Sequence, residues 1–191
     1  MRAIFFNLLP VLLVFIFPPN GQADEFKRDI PNATWESIYF EPINQLAAKA
    51  GWKSLRVGPL PAGSLEIRIW IISMMPLRGY ALRQDGSHWT GSYLADTVQH
   101  TNLVMASNLT PKSGWDKLWS RLVQLDLLTL PDSCTLQGEK GFFDGVSYVV
   151  EMNHDGGYRT YQYGNPEEQT WPEAKKIQSI VEALQVEFSK Q

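Results

Sequence analysis

Cysteine is almost absent from this chain of 191 residues, which contains Cys134 alone. An intramolecular disulfide is therefore excluded, and the fold must be stabilised by packing. Secreted animal domains are usually rich in disulfides, so this scarcity favours a bacterial origin. A nucleophilic cysteine needs a positive environment to hold its thiolate, whereas Asp132 is the charged residue near Cys134. We interpret Cys134 as a partly buried free thiol, and a disulfide to a second chain stays open.

Sequence motifs of several functional classes are also missing. The three histidines, His88, His100 and His154, show none of the spacings that zinc sites use, so we expect no metal ion. No phosphate-binding loop or Gly-x-Gly-x-x-Gly motif indicates a nucleotide, and we expect no cofactor. No Gly-x-Ser-x-Gly turn indicates a serine hydrolase. The formal net charge is −3 without a basic cluster, so we expect no nucleic-acid partner.

One long apolar run is present, and it opens the chain. It covers Ala3–Phe17, with Arg2 as the single charge before Asp24. The segment Pro18–Ala23 follows, with small residues placed for cleavage after its last position, as in a secretory signal peptide. At about 15 residues, the run is shorter than the roughly 20 that span a membrane. We predict a signal peptide at 1–23, then one globular domain at 24–191 that is periplasmic or extracellular, with no stable membrane anchor.

Alternating residues predict a β-strand at Leu65–Ile72. Its isoleucines at 67, 69 and 71 lie on one face of the strand, and Glu66, Arg68 and Trp70 lie on the other. This pattern is typical of a sheet with one face on the core and the other at least partly wet. The polar residues 24–34 predict a loose lead-in, and residues 101–107 are a candidate for a further strand.

Asp-Gly pairs predict two β-hairpins. In the first, residues 85–86 form a two-residue turn that brings Tyr80 opposite Gly91. In the second, the strands Val146–Met152 and Tyr158–Tyr163 flank a turn centred on residues 155–156 or 156–157. These alternatives differ by a two-residue shift, so they leave the faces of the strands unchanged.

Three segments carry helix signals. The first, residues 41–51, has proline in its first turn and glycine after its last. The second, Ser113–Asp126, and the third, which follows Thr170–Glu173, both combine an apolar stripe with a capping-box pattern. The order predicts an α+β fold with an antiparallel sheet and about three helices on one face. Its two hairpin–helix units leave a β-β-α duplication open, although their residues are too dissimilar to indicate more than a coincidence of units.

Two sets of residues are candidates for function. Side chains on the sheet face opposite the isoleucines could stack on a sugar or anchor a protein, and these are Glu66, Arg68, Trp70, Tyr158 and Thr160. Alternatively, helices pack on that face and bury its rings. Acid and imidazole groups near the second hairpin could support hydrolysis, and these are Glu151, His154 and Asp155.

Together, these patterns predict an exported bacterial protein that binds an envelope protein or a glycan without catalysing a reaction. Two alternatives stay open. One is a small envelope hydrolase with its site around the second hairpin, and the other is a structural envelope component that associates with itself.

The predicted export can be tested by native mass spectrometry of the protein purified from the envelope fraction of its host. We expect a mass that matches cleavage after Ala23, with an additional ligand or partner. An uncut chain, or a ligand-free monomer, would count against the binding hypothesis.

Overall fold

The computed structural model describes residues 25–31, 36–73, 77–96, 103–137, 145–154 and 156–189. The predicted signal peptide lies outside these ranges. The described strands are Lys27–Asp29 (β1), Ser64–Ile72 (β2), Arg78–Asp85 (β3), His88–Asp96 (β4), Leu103–Leu109 (β5), Ser147–His154 (β6) and Gly157–Gly164 (β7). The described α-helices are Glu41–Lys49 (α1), Trp115–Gln124 (α2) and Pro172–Glu187 (α3). Short helical turns occur at Glu36–Phe40, Ser133–Thr135 and Pro166–Glu168.

The strands form one sheet in the order β1-β7-β6-β2-β3-β4-β5. Five of its six neighbouring pairs are antiparallel, and β1 lies parallel to β7. The predicted α+β class is therefore confirmed. The expectation of a loose lead-in is wrong for Lys27–Asp29, because this segment pairs with residues 157–159 at the edge of the sheet.

The first hairpin turns one residue later than expected. Asp85 pairs with His88, so the turn consists of Gly86 and Ser87, and Tyr80 lies opposite Tyr93 instead of Gly91. Glycine with φ +60° at the first turn position is typical of a type II′ turn, which explains the difference. The faces of both strands are as predicted, because the partner shifts by two residues.

The second hairpin agrees with one of the two predicted turns. His154 pairs with Gly157, which leaves residues 155–156 as the connection. Glu151 lies opposite Thr160, so these two side chains share a face of the sheet.

The isoleucine face of the sheet carries the larger core. Ile67, Ile69 and Ile71 pack with the apolar stripes of α2 and α3. Both helices form where predicted, but neither uses a side-chain cap, so the two predicted capping boxes are wrong. The backbone N–H of Ser113 instead donates to Oε2 of Glu187 at 2.8 Å, which ties the start of α2 to the end of α3.

The first helix lies on the opposite face of the sheet, so the expectation that all helices share one face is wrong. Ile43, Leu46 and Ala47 of α1 form a second core with Trp70, together with Leu94 and other apolar residues. Four neighbouring strands supply one transverse row beneath α1, and its members are Val149, Trp70, Gly79 and Leu94. An apolar stripe on α1 thus meets an apolar row on the sheet, and burial of both favours this placement.

Gly79 makes room for the Trp70 ring. A Cβ atom at position 79 would lie 2.4 Å from Cε3 of Trp70, far inside van der Waals contact. Because Trp70 is fully buried between the sheet and α1, its ring has little space to move away.

We expect Gly79→Ala to lower the free energy of unfolding by about 2 kcal/mol through overpacking, measured by urea denaturation. Gly58→Ala is the matched control, because a Cβ there meets no atom within 4 Å. Its stability should stay within about 0.5 kcal/mol of the parent chain. Equal stabilities for the two variants would contradict this account of the second core.

Candidate ligand-binding cleft

A cleft of about 820 Å³ lies on the part of the sheet next to the region that α1 covers. One wall is the loop 51–60, which follows α1, and Asn153 of β6 also contributes. The floor is formed by side chains of β2, β3 and β4, and these are Glu66, Arg68, Ala81, Arg83, Thr90 and Ser92.

The depth of the cleft follows from the size of the floor residues. Arg68, Ala81 and Ser92 form one transverse row, and Glu66, Arg83 and Thr90 form the next. The apolar row beneath α1 lies directly beside the first of these rows. Ala81, Ser92 and Thr90 are small, and the sheet face opens into the cleft above them.

Asn153 fixes the shape of the loop wall. Its Nδ2 donates to the carbonyl oxygens of Leu55 at 2.7 Å and Gly58 at 2.8 Å. Its Oδ1 accepts from the backbone N–H of Leu60 at 3.4 Å. Because Asn153 is fully buried and belongs to the central part of the sheet, these bonds attach the loop to a rigid element.

Arg68 is held in a single position at the base of the cleft. Its Nε and Nη2 donate to Oε1 of Glu66 at 2.8 and 2.7 Å, and Nη2 also donates to the carbonyl oxygen of Lys53 at 2.7 Å. The guanidinium carbon lies 5.2 Å from the ring centroid of Trp52. With an exposed fraction of 4%, Arg68 joins the floor to the loop and neutralises Glu66.

Arg83 is the more accessible arginine of the floor. Its side chain is 47% exposed, and Nη2 lies 3.8 Å from Oδ2 of Asp85, which is a long ion pair. Oδ1 of Asp85 accepts a hydrogen bond from Ser64 at 2.9 Å. The Arg83 guanidinium can therefore take a further hydrogen-bond acceptor inside the cleft.

Glu151 forms a buried polar centre beside the cleft floor, where it pairs with Arg68 across the sheet. Its Oε2 accepts from Nε1 of Trp70 at 2.7 Å, and its Oε1 accepts from the hydroxyl of Tyr158 at 2.9 Å. Burial raises the pKa of Tyr158 well above its usual range, and the neighbouring Glu151 raises it further. Tyr158 therefore stays protonated and keeps donating to the carboxylate.

The structure separates the five predicted binding residues into two groups. Glu66 and Arg68 line the cleft, as a surface for a ligand requires. Trp70 and Tyr158 are 0% and 1% exposed, so the expectation of exposed rings at these positions is wrong. Thr160 is also buried, and its hydroxyl donates to the carbonyl oxygen of Val150 at 2.8 Å. Packing of α1 over Trp70 agrees with the alternative that a helix covers this face.

The predicted hydrolytic residues are not brought together among the described positions. Glu151 belongs to the face of Arg68, whereas His154 pairs with Leu65 on the isoleucine face. Asp155 lies outside the described residues. Within the described ranges, no group of three or more His, Cys, Asp or Glu side chains could hold a metal ion. Cys134 is exposed, in contrast to the expected partial burial.

Sequence reasoning missed Arg83 and Asn153 as site residues. The local sequence around each residue does not indicate a site, because each becomes part of the site only when its strand pairs with β2 at Glu66. Trp52 is a further site residue that is not among the candidates from the sequence, and the structure places it in the wall of the cleft.

Comparisons with protein-family models, curated proteins and solved structures find no match to this chain. Among the described residues, no helix has the length and apolar character to cross a membrane.

We expect Glu151→Ala to lower the free energy of unfolding by about 3 kcal/mol, because it leaves the Trp70 N–H and the Tyr158 hydroxyl buried without their acceptor. Glu151→Gln should cost less, since the amide oxygen can accept from Trp70 and the amide N–H can donate to Tyr158. Chemical denaturation followed by circular dichroism measures both changes.

The exposed Glu182 of α3 provides a control for this prediction, and Glu182→Ala should change the free energy of unfolding by less than about 0.5 kcal/mol. A gain in stability on replacing Glu151 would contradict a structural role and would favour strain stored for function.

Proposed function

We propose that this protein is an exported, non-catalytic binding module that holds a short glycan in the cleft between the loop 51–60 and strands β2–β4. The observation that carries the proposal is the cleft itself. Its volume of about 820 Å³ falls within the roughly 300–1,000 Å³ of typical small-ligand sites.

The chemistry of the lining supports a sugar as the ligand. Hydroxyl groups of Thr90 and Ser92 and the guanidinium of Arg83 offer hydrogen bonds across the floor. Trp52 adds a partly exposed ring at the wall, where the apolar face of a sugar could pack. Glycans present hydroxyl groups together with apolar ring faces, and this lining complements both. A concave site of this size also suits a short glycan better than the broad surface of a folded partner.

Rigid walls support binding without a large ordering cost. Asn153 and Arg68 attach the loop to the sheet through hydrogen bonds that do not require a ligand. A preformed site loses less conformational entropy when its ligand binds, which raises affinity for a given set of contacts.

Export is supported by the sequence of Met1–Ala23, which has the layout of a secretory signal peptide. Outside the cytoplasm, glycans of the cell envelope are an available class of ligand. The hydrolase alternative receives less support, because both Glu151 oxygens are buried and already accept hydrogen bonds.

We expect the purified full-length chain to bind at least one short oligosaccharide from a glycan array, with the affinity then measured by isothermal titration calorimetry. Ser92→Trp should weaken this binding at least tenfold, because the indole would fill the floor of the cleft. Ser120→Trp, which places the same side chain on the exposed surface of α2, should leave the affinity unchanged.

The melting temperatures of both variants show whether a loss of binding comes from the filled cleft or from an unfolded chain. The proposal fails if no glycan binds the parent chain, or if folded Ser92→Trp binds as tightly as Ser120→Trp. If Ser92→Trp does not fold, Thr90→Trp replaces it in the same comparison.

A further inference from the structure

We infer that the glycan bound in this cleft carries a carboxylate, as a uronic acid does, and that Arg83 binds this group. The inference rests on the proposed function and adds the chemical class of the ligand. It starts from the charges of the lining residues, which are three cations, Lys53, Arg68 and Arg83, and one anion, Glu66. The cleft is therefore positively charged within a chain whose formal net charge is −3.

Arg68 does not supply the charge that a ligand would meet. Its guanidinium lies 2.7 Å from Glu66 and is 4% exposed, so these two charges neutralise each other inside the protein. Positive charge remains at Lys53 on the loop wall, which is exposed, and at Arg83 on the floor.

Arg83 has the geometry and freedom to bind a carboxylate. Nearly half of its side chain is exposed, and the Asp85 carboxylate is 3.8 Å away and itself 62% exposed. Such a long, solvated ion pair contributes little, so exchanging it for a ligand costs little. A guanidinium presents two parallel N–H groups that match the two oxygens of a carboxylate.

The surroundings of Arg83 favour a singly charged group. Glu66 lies directly across from it on β2, and Thr90 lies directly across on β4. The Thr90 hydroxyl can donate to an anion beside the guanidinium. The Asp85 carboxylate near Arg83 would repel a doubly charged phosphate more strongly than a single carboxylate.

The test uses the full-length chain and short oligosaccharides that contain glucuronate, galacturonate or mannuronate, each paired with its neutral methyl ester. Titration calorimetry should show at least one acid binding about tenfold or more tightly than its ester. This preference should shrink as the salt concentration rises from 50 to 500 mM, since salt screens the interaction.

Arg83→Gln should remove the preference for the acid, so that the acid and its ester bind this variant with equal affinity. Arg121→Gln is the matched control, because it removes the same charge from the exposed surface of α2. This control should keep the full preference. Melting temperatures of both variants establish that each is folded.

Three results would overturn the inference, and they have different meanings for the proposed function. Equal binding of acid and ester by the parent chain would refute the carboxylate site and leave the proposed glycan binding in place. Binding of short acidic peptides, with no binding of any sugar, would refute the proposal that the ligand is a glycan. It would assign the Arg83 site to another ligand class. Failure of every charged and neutral glycan to bind would refute both proposals.

Discussion

Two hydrogen bonds to the buried carboxylate of Glu151 hold together the parts of the sheet on which the cleft depends. One comes from Trp70, whose ring fills the core beneath α1, and the other from Tyr158 near the edge of the sheet. A buried carboxylate is costly unless donors compensate it, so these groups must stay in place together. Glu151 pairs with Arg68, so it belongs to the first polar row beside the apolar row beneath α1.

The division of one sheet face into a covered and an open part explains the candidate site. Near Trp70, the face is apolar and α1 packs on it. One residue row further, Ala81 is too small and Ser92 is small and polar, so these residues do not continue that core. The loop after α1 passes over this region and is attached at Arg68 and Asn153, so the space beneath it remains as a cleft.

The predictable part of this architecture was encoded in local patterns. Alternation in Leu65–Ile72, the glycine turns and the apolar stripes of the helices led to the α+β class and to the correct faces of both hairpins. Local pattern could not reveal that Gly79 lies beneath Trp70, because these residues become neighbours through strand pairing. The first hairpin register was missed because Gly86 occupies the first position of the turn instead of the second.

The candidate site was predictable only in part, for a related reason. Alternation places Arg68 and Trp70 on one face, but it does not say which of them a helix covers. Trp70 is covered and Arg68 lines the cleft, because α1 ends before it reaches the polar rows. The apolar character of Trp70 suggested a contact surface, whereas in the folded protein Trp70 is buried beneath α1, in the row beside the cleft floor.

The attachment of the loop has a consequence for how this protein could diversify. Asn153 bonds to main-chain atoms of Leu55, Gly58 and Leu60, and Arg68 bonds to the main-chain oxygen of Lys53. Main-chain groups are the same whatever side chain a residue carries. The exposed side chains of the loop, those of Lys53, Ser54 and Val57, could therefore be exchanged while its path over the sheet is retained. The sheet thus sets the path of the loop, whereas the exposed side chains that the loop presents to the cleft are not needed to hold that path.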